Sequence, residues 1–271
     1  MLIARRKDQS RYPEHWDQLV GGWNPGAGPS GKRLYDLSGC DNHGTLINAT
    51  PSDWEVSQGQ YALDIEGANK YVSIPGALRK IGGLTRFSIG GWFSVDSFAN
   101  FPVLMTFRNG FVGSDCGLLE TNDTGSVMYV KVASNLAGLS GVRTYTLDTA
   151  MVTGRWYHCI MSKTGSGDSL DFFFDGRLQT SFTGSVQDVP ASLTDALFLG
   201  AYVGGNVGLD GRLDDWQLRT KSTTIADARS LHRIGRGGIY QPKRRVFYSI
   251  PASVKAWLFR RQSQIIGGGL G

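Results

Sequence analysis

Catalysis needs side chains of suitable type at suitable spacing, and this sequence brings few of them together. Paired carboxylates come nearest in ALDIEG, where Asp64 and Glu66 stand two positions apart on one face of a candidate strand. A retaining glycosidase holds two carboxyl groups about 5–5.5 Å apart, one as nucleophile and one as acid. The chain has only four glutamates, Glu14, Glu55, Glu66 and Glu120, so the supply for such chemistry is thin. Asp64 and Glu66 read instead as polar groups at a strand end and its turn. The histidines His15, His43, His158 and His232 occupy unrelated contexts, and no Gly-x-Ser-x-Gly accompanies them. His43, in NHG, reads as a turn residue and His158 as a strand residue, both with their polar atoms satisfied. GLDGRLDD and TGSGDS contain glycines but lack the Lys-Ser/Thr and the helix of a phosphate loop. The expectation is a protein without a catalytic step.

The elements that would position any binding residues are strands. In TRFSIGGWFSV the residues Phe87, Ile89, Gly91, Phe93 and Val95 share one face, with Ser88, Gly90, Trp92 and Ser94 on the other. VMYVKVAS (127–134) and TYTLDT (144–149) repeat the pattern, and WYHCIMSK with LDFFFDGRLQTS flanks TGSGD as a hairpin. DALFLGA and GRLDDWQLR follow after further turns. Strands at this density, with 37 glycines to turn between them, predict an all-β, two-sheet antiparallel sandwich. One helix is expected in TTIADARSLHRIG, with Thr224 as cap, Asp227 three residues on and Gly235 as stop.

Charge divides the 271 residues into three parts. From Ala228 to Gly271 there are nine Lys/Arg and no acid, and the first eleven residues carry four bases against Asp8. Between them lie fifteen bases and twenty-two acids, so an acidic body stands between two basic ends. The predicted organisation is an N-terminal arm (1–19), a sandwich (20–235) and a basic, aromatic C-terminal arm (236–271). In that last arm Arg244, Arg245, Arg260 and Arg261 are interleaved with Phe247, Tyr248, Ile250, Trp257, Leu258 and Phe259. A solvated tail gains nothing from exposed rings, so these residues are the expected partner-binding set. Burying the six apolar side chains is worth about 1.5–3 kcal/mol each before ordering costs. Pro251 could open a short helix there, and a strand fits the same residues. No nucleic-acid motif accompanies the bases, so nucleic acid and a membrane surface rank below protein contact. Cys40, Cys116 and Cys159 are odd in number and far apart, which predicts reduced thiols. MLIARRKDQS reads as no secretion signal, and no apolar run approaches the ~20 residues of a bilayer span, so folding in a cytoplasm is expected.

LSGCDNHGTL, YALDIEGANKYVSIP, FSIGGWFSV, WYHCIMSK…DFFFDGRL and LFLGAYVGG…GRLDDWQL occur in this order over about residues 20 to 235. Together they resemble the laminin-G-like branch of the concanavalin A-like jelly rolls. That resemblance implies a jelly-roll topology and places Ala62 where a glucanase of this fold carries its first catalytic carboxylate. It also implies a structural calcium ion where first and last strands meet, at Asp36, Asp41, Asn42 and Asp214 or Asp215, with no further cofactor. Glycan contact would use aromatic and loop groups such as Trp54, Tyr71, Tyr202, Asn206 and Asp210. The organisation, a jelly roll with an arginine-rich arm, is similar to that of small virion proteins of tailed bacteriophages. It implies a non-catalytic decoration, fibre or tail component localised to the virion, joined to a capsid or tail protein or to copies of itself. The alternative is a carbohydrate-binding module for host-surface or glycan attachment.

Overall fold

The computed structural model describes residues 12–66, 69–108, 115–132, 141–191, 193, 196–202 and 207–240. The chain divides into one unit through Tyr240 and a second, Gln241–Gly271, which lies outside the described residues. The expected partner-binding residues from Arg244 to Arg261, and the helix-or-strand question at Pro251, therefore also lie outside them.

After α1 (Pro13–Trp16) come β1 (Leu19–Trp23), β2 (Arg33–Leu34), β3 (Gly44–Ile47), β4 (Trp54–Ser57), β5 (Gln60–Asp64) and β6 (Tyr71–Ile74). The middle of the chain forms β7 (Phe87–Ser97), β8 (Val103–Arg108), β9 (Asp115–Thr121), β10 (Val127–Val132), β11 (Val142–Thr146) and β12 (Trp156–Lys163). Then follow β13 (Leu170–Phe174), β14 (Arg177–Leu178), β15 (Phe182–Gly184), β16 (Leu197–Leu199), β17 (Asp210–Arg219) and α2 (Ile225–Ile234). They build two antiparallel sheets, as the period-two pattern predicted. One runs β14-β13-β12-β7-β17-β5-β4, with β1 also pairing β17, and the other is nine-stranded, β15-β11-β10-β9-β8-β16-β6-β3-β2.

The core lies between the sheets. Phe87, Ile89, Phe93 and Val95 of β7 meet Met128 and Val130 of β10, with Trp23 and Trp216 buried in the same cluster. The two tryptophans sit opposite one another across the β1–β17 pairing. Gly91 makes room for this arrangement, because a Cβ there would stand 2.6 Å from the Trp216 ring.

A second, smaller cluster lies on the other face of the β17 sheet. Ile160 and Phe173, partners across β12 and β13, receive Ala228 and Leu231 of α2 together with Ile239. The helix forms where its caps predict. Thr224 accepts from the Asp227 amide and the Asp227 carboxylate from the Thr224 amide, a complete capping box. Gly235, at φ 81°, closes the far end with its N–H on the His232 and Leu231 carbonyls. Residues 236–240, grouped by sequence with the C-terminal arm, continue across this face as a strap, with Ile239 buried. From the N-terminal side α1 joins the same layer, where His15 Nε2 meets Ser230 Oγ at 3.0 Å. Leu231→Ala is expected to cost about 2–5 kcal/mol by emptying the helix seat. Denaturant unfolding of the pure variant checks this.

Candidate functional site

The loop from β2 to β3 is organised by one carboxylate. Asp36 Oδ1 accepts from the amides of Gly22 (2.9 Å) and Ser38 (2.8 Å). Its Oδ2 accepts from Ser38 Oγ (2.8 Å) and the Asn42 amide (3.0 Å). Asn42 is buried beside it, donating from Nδ2 to the Val20 carbonyl, while its own carbonyl accepts from Trp23 Nε1. Asp41, by contrast, points outward with its side chain 91% exposed. The other two expected calcium ligands have different partners. Asp214 accepts from Gln60 Nε2 (3.0 Å) and Asn24 Nδ2 (3.4 Å) and lies 3.7 Å from Arg236 Nε. Asp215 accepts from Gln217 Nε2 (2.9 Å) and the Gly237 amide (3.0 Å). Among the described residues no group of three or more His, Cys, Asp or Glu is placed to hold a metal. These carboxylates fasten the loop and the strap.

Two consecutive aspartates share the outer side of β17 because the strand bulges there. Its register with β7 slips between Asp214 and Gln217, and Asp215 takes φ 50°. Trp216 thereby returns to the core while Asp214, Asp215, Gln217 and Arg219 form a buried polar row under the strap. Arg219 donates to Gln217 Oε1 and to the His15 carbonyl, and Arg236 to the Ser57 carbonyl with its guanidinium 4.0 Å over the Trp156 ring. Burial pushes the Asp215 carboxyl up to about 7, against the opposing pull of the Gln217 and Gly237 bonds and Arg219. Burial and then the Asp215 charge raise Asp214 well above the ordinary carboxylate range.

On its side away from the core, the nine-stranded sheet carries a transverse row that is exposed at Arg33 and Thr45, half-buried at Ser73 and Phe198, and buried at Thr106, Leu118 and Lys131. Strand registers align Arg33, Thr45, Ser73, Phe198, Thr106, Leu118 and Lys131, one from each of seven neighbouring strands. At ~4.8 Å per strand the row spans roughly 29 Å. Phe198 and Tyr71, both half-buried, pack with ring centroids 5.7 Å apart. At the β2 end the row runs into an open cleft of about 440 Å³ lined by Lys32, Arg33, Asp41, His43, Gly44, Thr45 and Pro75. His43 is held there by its Nδ1, which accepts the Asp36 amide (3.0 Å), and the Tyr35 ring meets it edge-on at 5.4 Å.

The structure sorts the other sequence candidates. Trp54 belongs to the core and donates from Nε1 to the Gly31 carbonyl. Tyr202 donates its hydroxyl to Glu120, and Asn206 lies outside the described residues. Asp210 is half-buried and raised by burial and then by Asp96 and Asp64. Asp64 accepts the Glu66 amide, the turn role read from its spacing. His158 is buried in its strand, which lowers its imidazole to about 3 and leaves it neutral. Sequence reasoning missed Lys32, Arg33 and Tyr35, and the alternation of Arg33 and Tyr35 around buried Leu34 was the available signal.

Residues 66–227, more than half of the chain, match the Laminin_G_3 family model, described as concanavalin A-like lectin/glucanases superfamily. No curated protein matches the chain in sequence. Among solved structures, the Trypanosoma rangeli sialidase is similar at a TM-score of 0.59 and 12% identity, over 80% of this chain and 33% of that one. This chain thus spans about a third of that enzyme. Domain 4 of AbnA, a GH43 extracellular arabinanase from Geobacillus stearothermophilus, in complex with arabinotriose, is similar at 0.55 and 12%, over 83% of this chain and 98% of that one. The binding domain of Botulinum neurotoxin serotype D is similar at 0.58 and 10%, over 82% and 52%. At these identities the likeness is one of fold.

The raised Asp215 carboxyl has a signed consequence for stability. The folded chain holds a proton on it that the unfolded chain, near the ordinary 3.8, has released. Its contribution is therefore present below about pH 4 and is lost as pH rises through about 7. Melting curves across that range should show a fall that flattens in Asp215→Asn.

Proposed function

This chain belongs to the Laminin_G_3 family of the concanavalin A-like lectin/glucanases superfamily, and from that membership we propose that it binds glycans without cleaving them. The observation that carries the proposal is the outward row of the nine-stranded sheet. Tyr71 and Phe198 offer adjoining apolar ring surface, and Ser73, Thr45 and Arg33 follow as hydroxyl and guanidinium groups on the same face. A pyranose ring has the complementary pattern, with C–H faces for aromatic contact and equatorial hydroxyls for directed hydrogen bonds. Support also comes from the fold's likeness to a domain crystallised with arabinotriose. On the other face α2 and the strap cover β12 and β13, whereas Arg33 and Thr45 of this row are exposed. A glycan array probed with the pure protein should show retained oligosaccharides, and Tyr71→Ala with Phe198→Ala should weaken them at least tenfold. Absence of any retained glycan overturns the reading.

A second reading concerns where the module acts, and the composition of residues 241–271 favours it. That segment has six Lys/Arg, no acid and the rings of Phe247, Tyr248, Trp257 and Phe259. We propose that it fastens the sandwich to a capsid or tail protein, or to a second copy, so that the chain is a displayed component of a virion. Arginines suit hydrogen-bonded contact with an acidic partner, and repeated copies add avidity. Removing 241–271 should leave a folded sandwich that no longer joins its particle. Incorporation at the full-length level after that deletion would defeat the attachment role.

A further inference from the structure

The cleft at the end of the outward row differs chemically from the row itself. Lys32 and Arg33 are exposed side by side, and neither has a carboxylate within ion-pair distance among the described residues. Several other cations are matched, as in Lys70 with Asp53, Lys221 with Asp17, and Arg212 with Glu55 and Asp96. Arg33 is steadied by the Tyr35 ring, 5.2 Å from its guanidinium carbon. Because His43 Nδ1 accepts the Asp36 amide, the neutral imidazole carries its proton on Nε2, a further donor at the cleft. Thr45 adds a hydroxyl, and Asp41 is the one acid among the lining residues. It sits 3.7 Å from His43 Nε2 on an otherwise exposed side chain. A wall of two unmatched cations and two neutral donors around a concave opening is built for an anion with several acceptor oxygens.

We infer that this cleft receives the anionic group, carboxylate or sulfate, of an acidic glycan whose sugar rings lie along the Tyr71–Phe198 row. The inference rests on the glycan reading for the rings but on the cleft alone for the charge. Arg33 and Thr45 belong to both the cleft and the row, so one extended ligand reaches both. Arg33 supplies a planar fork matched to either oxyanion, and Lys32 a point charge beside it.

The test compares the wild type with Lys32→Glu, an exposed cleft position outside the row, after thermal melts confirm equal stability. Binding is measured against a hyaluronan oligosaccharide, a chondroitin sulfate oligosaccharide and a neutral cello-oligosaccharide of equal length. The expected result is tighter binding of one or both acidic ligands, weakened at least tenfold in the variant and by added salt, with neutral binding unchanged. Carboxylate and sulfate are distinguished by which of the two acidic ligands leads. Equal binding of acidic and neutral ligands, or acidic binding untouched in the variant, overturns the inference and leaves the glycan reading standing. Titration of free glucuronate and inorganic sulfate, followed by NMR at His43 and Thr45, judges the cleft independently. Shifts there without oligosaccharide binding support the anion site while the glycan reading falls, and their absence in that case overturns both.

Discussion

The last strand of the sandwich, β17, is buried on both faces, and much of the molecule follows from that constraint. Leu213, Trp216 and Leu218 fill the main core from one side. Asp214, Asp215, Gln217 and Arg219 stand on the other, where water is excluded and each polar atom needs a partner. The partners come from far along the chain: Asn24, Gln60, the His15 carbonyl, Arg236 and the Gly237 amide. The N-terminal turn, the C-terminal helix and the strap are thus drawn onto one sheet because its central strand is polar where it is covered.

Much of the architecture was legible in alternation. The β7 pattern named the residues facing the core, and the capping box named both ends of α2, because these features are local in sequence. The site was less legible. LDD gave no sign that a bulge would bring two aspartates to one side, since a register shift depends on the neighbouring strands. The transverse row is invisible in one dimension for the same reason, as its members come from strands up to 165 positions apart, from Arg33 to Phe198. Asp36 and Asn42 were expected, together with Asp41, as ligands of a structural calcium ion. Their purpose in the structure is to fold a loop, with four donors converging on one carboxylate.

The loop between β2 and β3 links the buried interior to the cleft. The Asp36 carboxylate fixes the backbone that carries Tyr35 and His43, and its own amide fixes the His43 ring. The positions of Tyr35 and His43 at the cleft are therefore set by the fold itself. A single buried acid organises an exposed surface whose chemistry is mostly basic.

The strap is anchored in the interior of a sheet. Arg236 and Gly237 tie it to Asp214 and Asp215 within the middle of a sheet, where β17 is hydrogen-bonded to β1, β5 and β7. A force on the strap therefore reaches a strand held by three hydrogen-bonded neighbours and not an edge strand.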